Sequence, residues 1–142
     1  TSSDRGAVGE PFRHRLRVRY HECDPQGVVF NANYLAYCDI CLVELWREVV
    51  EGYAGMAAKG IDVVVAEARI RFLAPLRFDD EVEMSLTVAS LGTSSMQLAI
   101  AIDRDGVTVA EAELAQVFIE IESGEKISIP DEIRAALETH LT

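Results

Sequence analysis

Between Asn33 and Glu51 the apolar residues recur every 3.6 positions, whereas before and after that window they recur every two. Tyr34, Cys38, Cys41, Leu42, Leu45 and Val49 fall within one arc of a helical wheel, and Asp39, Glu44, Arg47 and Glu51 fall opposite. No proline or glycine interrupts the window, which predicts one long helix. Asn31 or Asn33 is placed to cap its first free amides, and Gly52 to end it. One amphipathic helix among strands must bury its apolar stripe against a sheet, so the pattern predicts an α+β layer.

The flanking alternation supplies the sheet. Residues 13–22 read as a strand, with Leu16, Val18 and Tyr20 opposing Arg15, Arg17 and Arg19, until Asp24-Pro25-Gln26-Gly27 breaks it. In 62–73, Val64, Ala66, Ala68, Ile70 and Phe72 oppose Glu67, Arg69 and Arg71. In 81–90, Val82, Met84, Leu86 and Val88 oppose Glu81, Glu83, Ser85 and Thr87. Leu98, Ile100 and Ile102 mark the next strand, and Asp105-Gly106 signals a hairpin. The last strand, 107–121, changes inward phase between Val109 and Leu114, as a bulge or burial on both faces would require. A short acidic helix begins at Pro130. Consecutive hairpins favour an antiparallel sheet. Residues 1–12 are read as a flexible tail and 13–142 as a single domain.

Composition removes several functions. A net charge of −11 with no basic run argues against a nucleic-acid surface. Arg13, Arg15, Arg17 and Arg19 alternate, so in a strand they share one face, either solvated or facing an anionic ligand. No apolar run approaches 20 residues, so no membrane span is expected. The start of the chain lacks a signal peptide's apolar core, and three cysteines make no disulfide framework; both point to the cytoplasm. Cys38-x-x-Cys41 lies mid-helix on the apolar face rather than at a helix N-terminus, and no second ligand pair accompanies it, so the two are read as core thiols and no metal is expected.

The stretch Tyr20-His21-Glu22-Cys23-Asp24-Pro25-Gln26-Gly27-Val28-Val29-Phe30-Asn31-Ala32-Asn33-Tyr34 holds the candidate chemistry. Asp24 ends a strand, precedes a Pro-Gly loop and lies seven residues before Asn31. A carboxylate beside helix N-terminal amides can attack a carbonyl or activate water while the amides hold the developing oxyanion. The same residue also suits a plain turn-forming aspartate. His21 is a rival base, but strand parity would point it away from Asp24. Cys23 is a possible thiol nucleophile without an evident histidine partner.

This stretch, through Leu35, resembles the hotdog-fold acyl-CoA thioesterases, and more narrowly their 4-hydroxybenzoyl-CoA thioesterase and YbgC-like branch. The later run RIRFLAPLRFDDEVEMSLTVASLGTSSMQLAI is similar in its strand, Ala-Pro bend, acidic turn and Gly-Thr-Ser turn. The resemblance spans about residues 13–122. It implies the hotdog fold, a long helix wrapped by a curved five-stranded antiparallel sheet. It implies hydrolysis of acyl-CoA with no metal and no cofactor beyond the coenzyme A of the substrate. It also implies an obligate homodimer, commonly paired into a homotetramer, with active sites at the dimer interface. Asp24 matches the catalytic aspartate. Asn31 matches the position whose backbone amide meets the thioester oxygen, where relatives often carry Tyr or His. Gly27, Phe30, Asn33 and Tyr34 match positions that let the acyl group approach and shape its pocket. Arg69, Arg71, Arg77 or Lys59 could meet the phosphates of coenzyme A.

Two other functions fit the same fold. A dehydratase or hydratase of acyl thioesters would place a histidine near the helix start, and none occurs between His21 and His140. A non-catalytic acyl-CoA-binding module would need no acid at position 24.

Overall fold

The computed structural model describes residues 9–142. The expected tail lies outside the described residues as far as residue 8. The chain is already in β1 (Phe12–Arg17) at Phe12, and just before it the carbonyl of Glu10 is 2.8 Å from His140 Nδ1.

The long helix, α1, runs Ala32–Val50 and packs Tyr34, Tyr37, Cys38, Cys41, Leu42, Leu45, Trp46 and Val50 into the core. The predicted arc was right in direction but narrow: Tyr37, Trp46 and Val50 also face inward, and Val49 is half-buried. Neither asparagine caps the helix through its side chain. Asn31 already has helical backbone angles, and the Asn33 amide group turns back to another segment. The helix ends not at Gly52 but at Glu51, which adopts φ 62°, and Gly52 opens a further short helix, α2 (Gly52–Ala58). Gly55 lets α2 close onto α1, because a Cβ there would lie 1.7 Å from the Val50 carbonyl oxygen.

Five strands form one antiparallel sheet in the order β1-β3-β4-β5-β2, with β2 Ile61–Phe72, β3 Glu81–Leu91, β4 Ser95–Arg104 and β5 Val107–Glu120. This is the hotdog arrangement the sequence led us to expect. β3 and β4 keep the predicted phase: Val82, Met84, Leu86 and Val88 pack inward beside Met96, Leu98, Ile100 and Ile102. The anticipated bulge in β5 is at Val109, because Ile102 pairs with Ala110 and Asp103 with Thr108. The terminal helix α3 (Asp131–Glu138) packs Ile133 and Leu137 into the core.

Two strand expectations fail for reasons of local geometry. The strand predicted for 13–22 stops at Arg17, and Tyr20–Glu22 forms a turn of 3₁₀ helix that leaves Tyr20 79 % exposed rather than inward. In β2, a register shift between Val65 and Glu67 inverts parity. Val65, which is across from Gln116, therefore faces α1 in place of Val64, while Ala68, Ile70 and Phe72 keep the predicted side. β2 is an edge strand, and Val64, Val65 and Phe72 remain 40–48 % exposed.

Candidate active site

Residues 22–30 form a short hairpin that delivers the chain into α1. Cys23 pairs with Val29, the Phe30 amide donates to the Glu22 carbonyl (3.0 Å), and the Asp24 amide donates to the Val28 carbonyl (2.9 Å). The Gly27 amide closes the tip on the Asp24 carbonyl at 2.8 Å. Gly27 has φ 82°, which a side chain would strain, and the space beside its Cα is open. The return arm is held from outside, with the Val29 amide on the Leu76 carbonyl (2.8 Å).

Asp24 sits at this tip. Its Oδ1 accepts the Gln26 amide at 2.9 Å and the Val28 amide at 3.4 Å. The turn-forming role is therefore real, and it fixes the carboxylate through one oxygen. The second oxygen has no protein donor among the described residues. Asp24 lines a cleft of about 430 Å³ with Tyr20, His21, Cys23, Pro25, Gly27 and Phe78. Tyr20 and Phe78 stand edge to face, 5.7 Å apart.

His21 belongs to that cleft, contrary to strand parity. The 3₁₀ turn rotates it to the side of Asp24, although no hydrogen bond joins the two among the described residues. Cys23 is half-buried, with Sγ 3.9 Å from the Arg19 carbonyl oxygen.

The remaining expected residues separate into two groups. Phe30 and Asn31 are exposed at the start of α1, where the Asn31 and Ala32 amides have no acceptor among the described residues. Asn33 and Tyr34 face inward. Asn33 Nδ2 donates to the Glu22 carbonyl at 2.8 Å, and Tyr34 is buried with its ring edge to face on Phe72 at 5.1 Å. In the single chain, Tyr34 buttresses the helix start instead of lining the Asp24 cleft. Burial raises its phenol pKa above the ordinary value.

Glu22 was not anticipated. Its Oε1 accepts both the Arg19 amide (2.7 Å) and the Tyr37 hydroxyl (2.8 Å). Strand parity would have put it on the face of Leu16, Val18 and Tyr20, and a carboxylate on that apolar face was the signal that could have found it.

Among the cations considered for coenzyme A phosphates, Arg69 meets Glu113 at 3.0 Å, Arg71 meets Glu111 at 3.1 Å, and Lys59 meets Glu132. Arg77 differs. It bridges to Val28 of the hairpin, its amide donates to Asp80 Oδ2 (2.8 Å), and its guanidinium meets no carboxylate among the described residues. The described residues contain no cluster of three or more His, Cys, Asp or Glu able to hold a metal, and no helix long and apolar enough to cross a membrane. Cys38 and Cys41 are fully buried core thiols whose pKa values burial pushes up to about 12.

A long helix packed on a five-stranded antiparallel sheet is an arrangement shared with solved thioesterase structures. The profile of the thioesterase-like superfamily matches residues 18–137, and the chain belongs to that family. An acyl-CoA thioester hydrolase YbgC of Escherichia coli is 28 % identical over 110 residues, 77 % of this chain and 82 % of its own. A 1,4-dihydroxy-2-naphthoyl-CoA hydrolase of Thermosynechococcus vestitus is 29 % identical over 135 residues, 91 % of this chain and 90 % of its own. Among solved structures, a gentisyl-coenzyme A thioesterase superimposes with a TM-score of 0.81 at 25 % identity, covering 88 % of this chain and 98 % of its own.

Proposed function

We propose that this protein hydrolyses acyl-CoA thioesters to the free acid and coenzyme A, with Asp24 as the essential acid. The observation that carries the reading is the Asp24 carboxylate itself. It is fixed through Oδ1 to turn amides, leaves its other oxygen to a cleft, and rides on the hairpin that opens α1. The similarity to hydrolases of acyl-CoA and of 1,4-dihydroxy-2-naphthoyl-CoA supports the substrate class.

Asp24 acts as nucleophile or general base. As a base it takes a proton from water while the water oxygen bonds to the thioester carbon. As a nucleophile it forms an acyl anhydride that water then opens. In either case the carbonyl oxygen becomes negative and the C–S bond breaks to release the thiolate. The Asn31 and Ala32 amides at the start of α1 are the donors suited to that oxygen, with the helix dipole aiding them. The scheme calls for no metal and no separate cofactor. Arg77 is the cation best placed to meet a phosphate of coenzyme A, since the other candidates are neutralised by cross-strand or helix carboxylates.

The working unit is a homodimer joined through β2. A 12-residue edge strand with Val64, Val65 and Phe72 exposed is a pairing surface that soluble proteins ordinarily cover. Sedimentation distinguishes this dimer from the tetramer that the resemblance implies.

The test of the chemistry is thiol release from a panel of acyl-CoA substrates by the wild type and by Asp24→Asn. The substitution keeps an acceptor oxygen for Gln26 and removes the charge. Its expected effect is loss of about 3 kcal/mol of transition-state stabilisation, roughly a hundredfold in rate. Equal rates on the best substrate refute the assignment.

A further inference from the structure

We propose that Glu22 is the positioning residue of this site, tying the Asp24 hairpin to the first turns of α1 so that carboxylate and helix amides hold one relative placement. The inference rests on the reading of Asp24 given above.

Glu22 gathers four donors from four places in the chain. Its Oε1 takes the Arg19 amide at 2.7 Å, where the 3₁₀ turn begins, and the Tyr37 hydroxyl at 2.8 Å, from the second turn of α1. Its carbonyl takes the Phe30 amide at 3.0 Å, on the return arm, and Asn33 Nδ2 at 2.8 Å, in the first turn of α1. Only Cys23 separates it from Asp24, and that residue is committed to the Cys23–Val29 pair. The catalytic carboxylate and the helix start are thus both fixed relative to one residue.

The link to the helix is anchored deep in the protein. The Glu22 side chain is 11 % exposed, and Tyr37 is buried to 1 % with its ring beside Tyr34. Burial, followed by the bond to Glu22, raises the Tyr37 pKa, so the hydroxyl stays a donor across the working pH range. A carboxylate oxygen accepts two donors without carrying a proton of its own, which suits the geometry at Oε1. The third neighbour, the Arg19 guanidinium at 4.0 Å, is exposed and adds little.

A purely structural residue would lower stability and leave turnover per folded molecule intact. A positioning residue lowers kcat in the folded protein, because small displacements of reacting groups are amplified in rate. Three variants separate these cases. Glu22→Ala removes both Oε1 bonds; Glu22→Gln keeps an oxygen able to accept both; Tyr37→Phe removes the helix tether alone and keeps the packing. Thermal unfolding and near-ultraviolet circular dichroism establish the folded fraction, and kcat and KM are measured on the best acyl-CoA substrate alongside Asp24→Asn.

The expected result is a kcat for Glu22→Ala that falls roughly 10- to 100-fold with KM within about twofold. Glu22→Gln returns kcat to within about threefold of wild type, and folded Tyr37→Phe shows an intermediate loss. With Asp24→Asn inactive, the proposal is overturned if folded Tyr37→Phe keeps wild-type kcat, or if Glu22→Gln is as impaired as Glu22→Ala. A fully active Asp24→Asn instead overturns the assignment of Asp24, whatever the Glu22 variants do.

Discussion

Replacing Arg77 by alanine tests how the substrate is held, and its effect can be sized from the surroundings of the guanidinium. Arg77 is exposed, so its attraction for a phosphate lies near the aqueous limit, about 1 kcal/mol per unit charge pair at 4 Å. Exposed ion pairs seldom exceed that value. A phosphate with more than one negative charge raises the expectation to about 1–1.5 kcal/mol. At about 1.4 kcal/mol per decade, Arg77→Ala should raise KM for acyl-CoA roughly 5- to 12-fold and leave kcat nearly unchanged. Two comparisons isolate the cause. The N-acetylcysteamine thioester of the same acyl group has no phosphates, and its KM should not respond. In about 1 M salt the Debye length contracts to roughly 3 Å, and the difference between wild type and variant should largely vanish. Arg69→Ala and Arg71→Ala serve as controls, because Glu113 and Glu111 already occupy those guanidinium groups. An equal rise in KM for both thioesters, or a larger effect from Arg69 or Arg71 than from Arg77, refutes the reasoning.

The edge strand and the buried thiols yield further expectations. Val64→Lys puts a charge on the open β2 edge and should weaken self-association roughly tenfold or more, since a two-fold interface meets the charge twice; light scattering at graded concentrations would show unchanged mass if the reading is wrong. Of the three cysteines, Cys23 alone should react with iodoacetamide at pH 8 in the native protein, because Cys38 and Cys41 are held protonated up to about pH 12. The same shift makes stability pH-dependent. Above pH 9 the unfolded thiols lose protons that the folded ones keep, so the unfolded state binds fewer protons and unfolding free energy falls as pH rises from about 9 towards 12. The slope is at most about 1.4 kcal/mol per pH unit for each thiol. Denaturant unfolding of the wild type and a Cys38→Ala variant measures it, and identical slopes would contradict the assignment.

Much of this architecture was legible because long elements average over local irregularity. Nineteen residues of 3.6 period located α1 to within one residue at each end, and the clean alternation of β3 and β4 gave their buried faces directly. Parity counting failed wherever one extra residue or one tight turn intervened. The shift at Val65 inverted the first part of β2, and the 3₁₀ turn at Tyr20–Glu22 moved His21 to the side of Asp24. Asp24 itself was visible as a candidate because Asp-Pro-x-Gly announces a turn, but the turn chemistry alone could not separate a reagent from a cap, and the structure shows the residue doing the capping with one oxygen. The partners of Glu22 were invisible for a different reason: Arg19, Tyr37, Phe30 and Asn33 come together only after the hairpin and helix have docked.

The two borders of the sheet are unequal, and in the proposed β2 pairing that inequality sets how large an assembly grows. Filaments need two mutually compatible borders on every molecule, so that each addition recreates the surface it consumed. Here β2 exposes Val64, Val65 and Phe72, with its Arg69 and Arg71 held by Glu113 and Glu111 of the neighbouring strand, whereas β1 is half as long and carries Arg13, Arg15 and Arg17, each drawn to a carboxylate of Glu83, Glu81 or Asp79. In the proposed dimer, a copy attached by β2 to the β2 of another presents only its short β1 border outward. In that proposed pairing no second β2 is left exposed, so addition through this strand ends after one round. In that proposed arrangement the short, arginine-bearing β1 border is what solvent meets at both ends of the joined sheet.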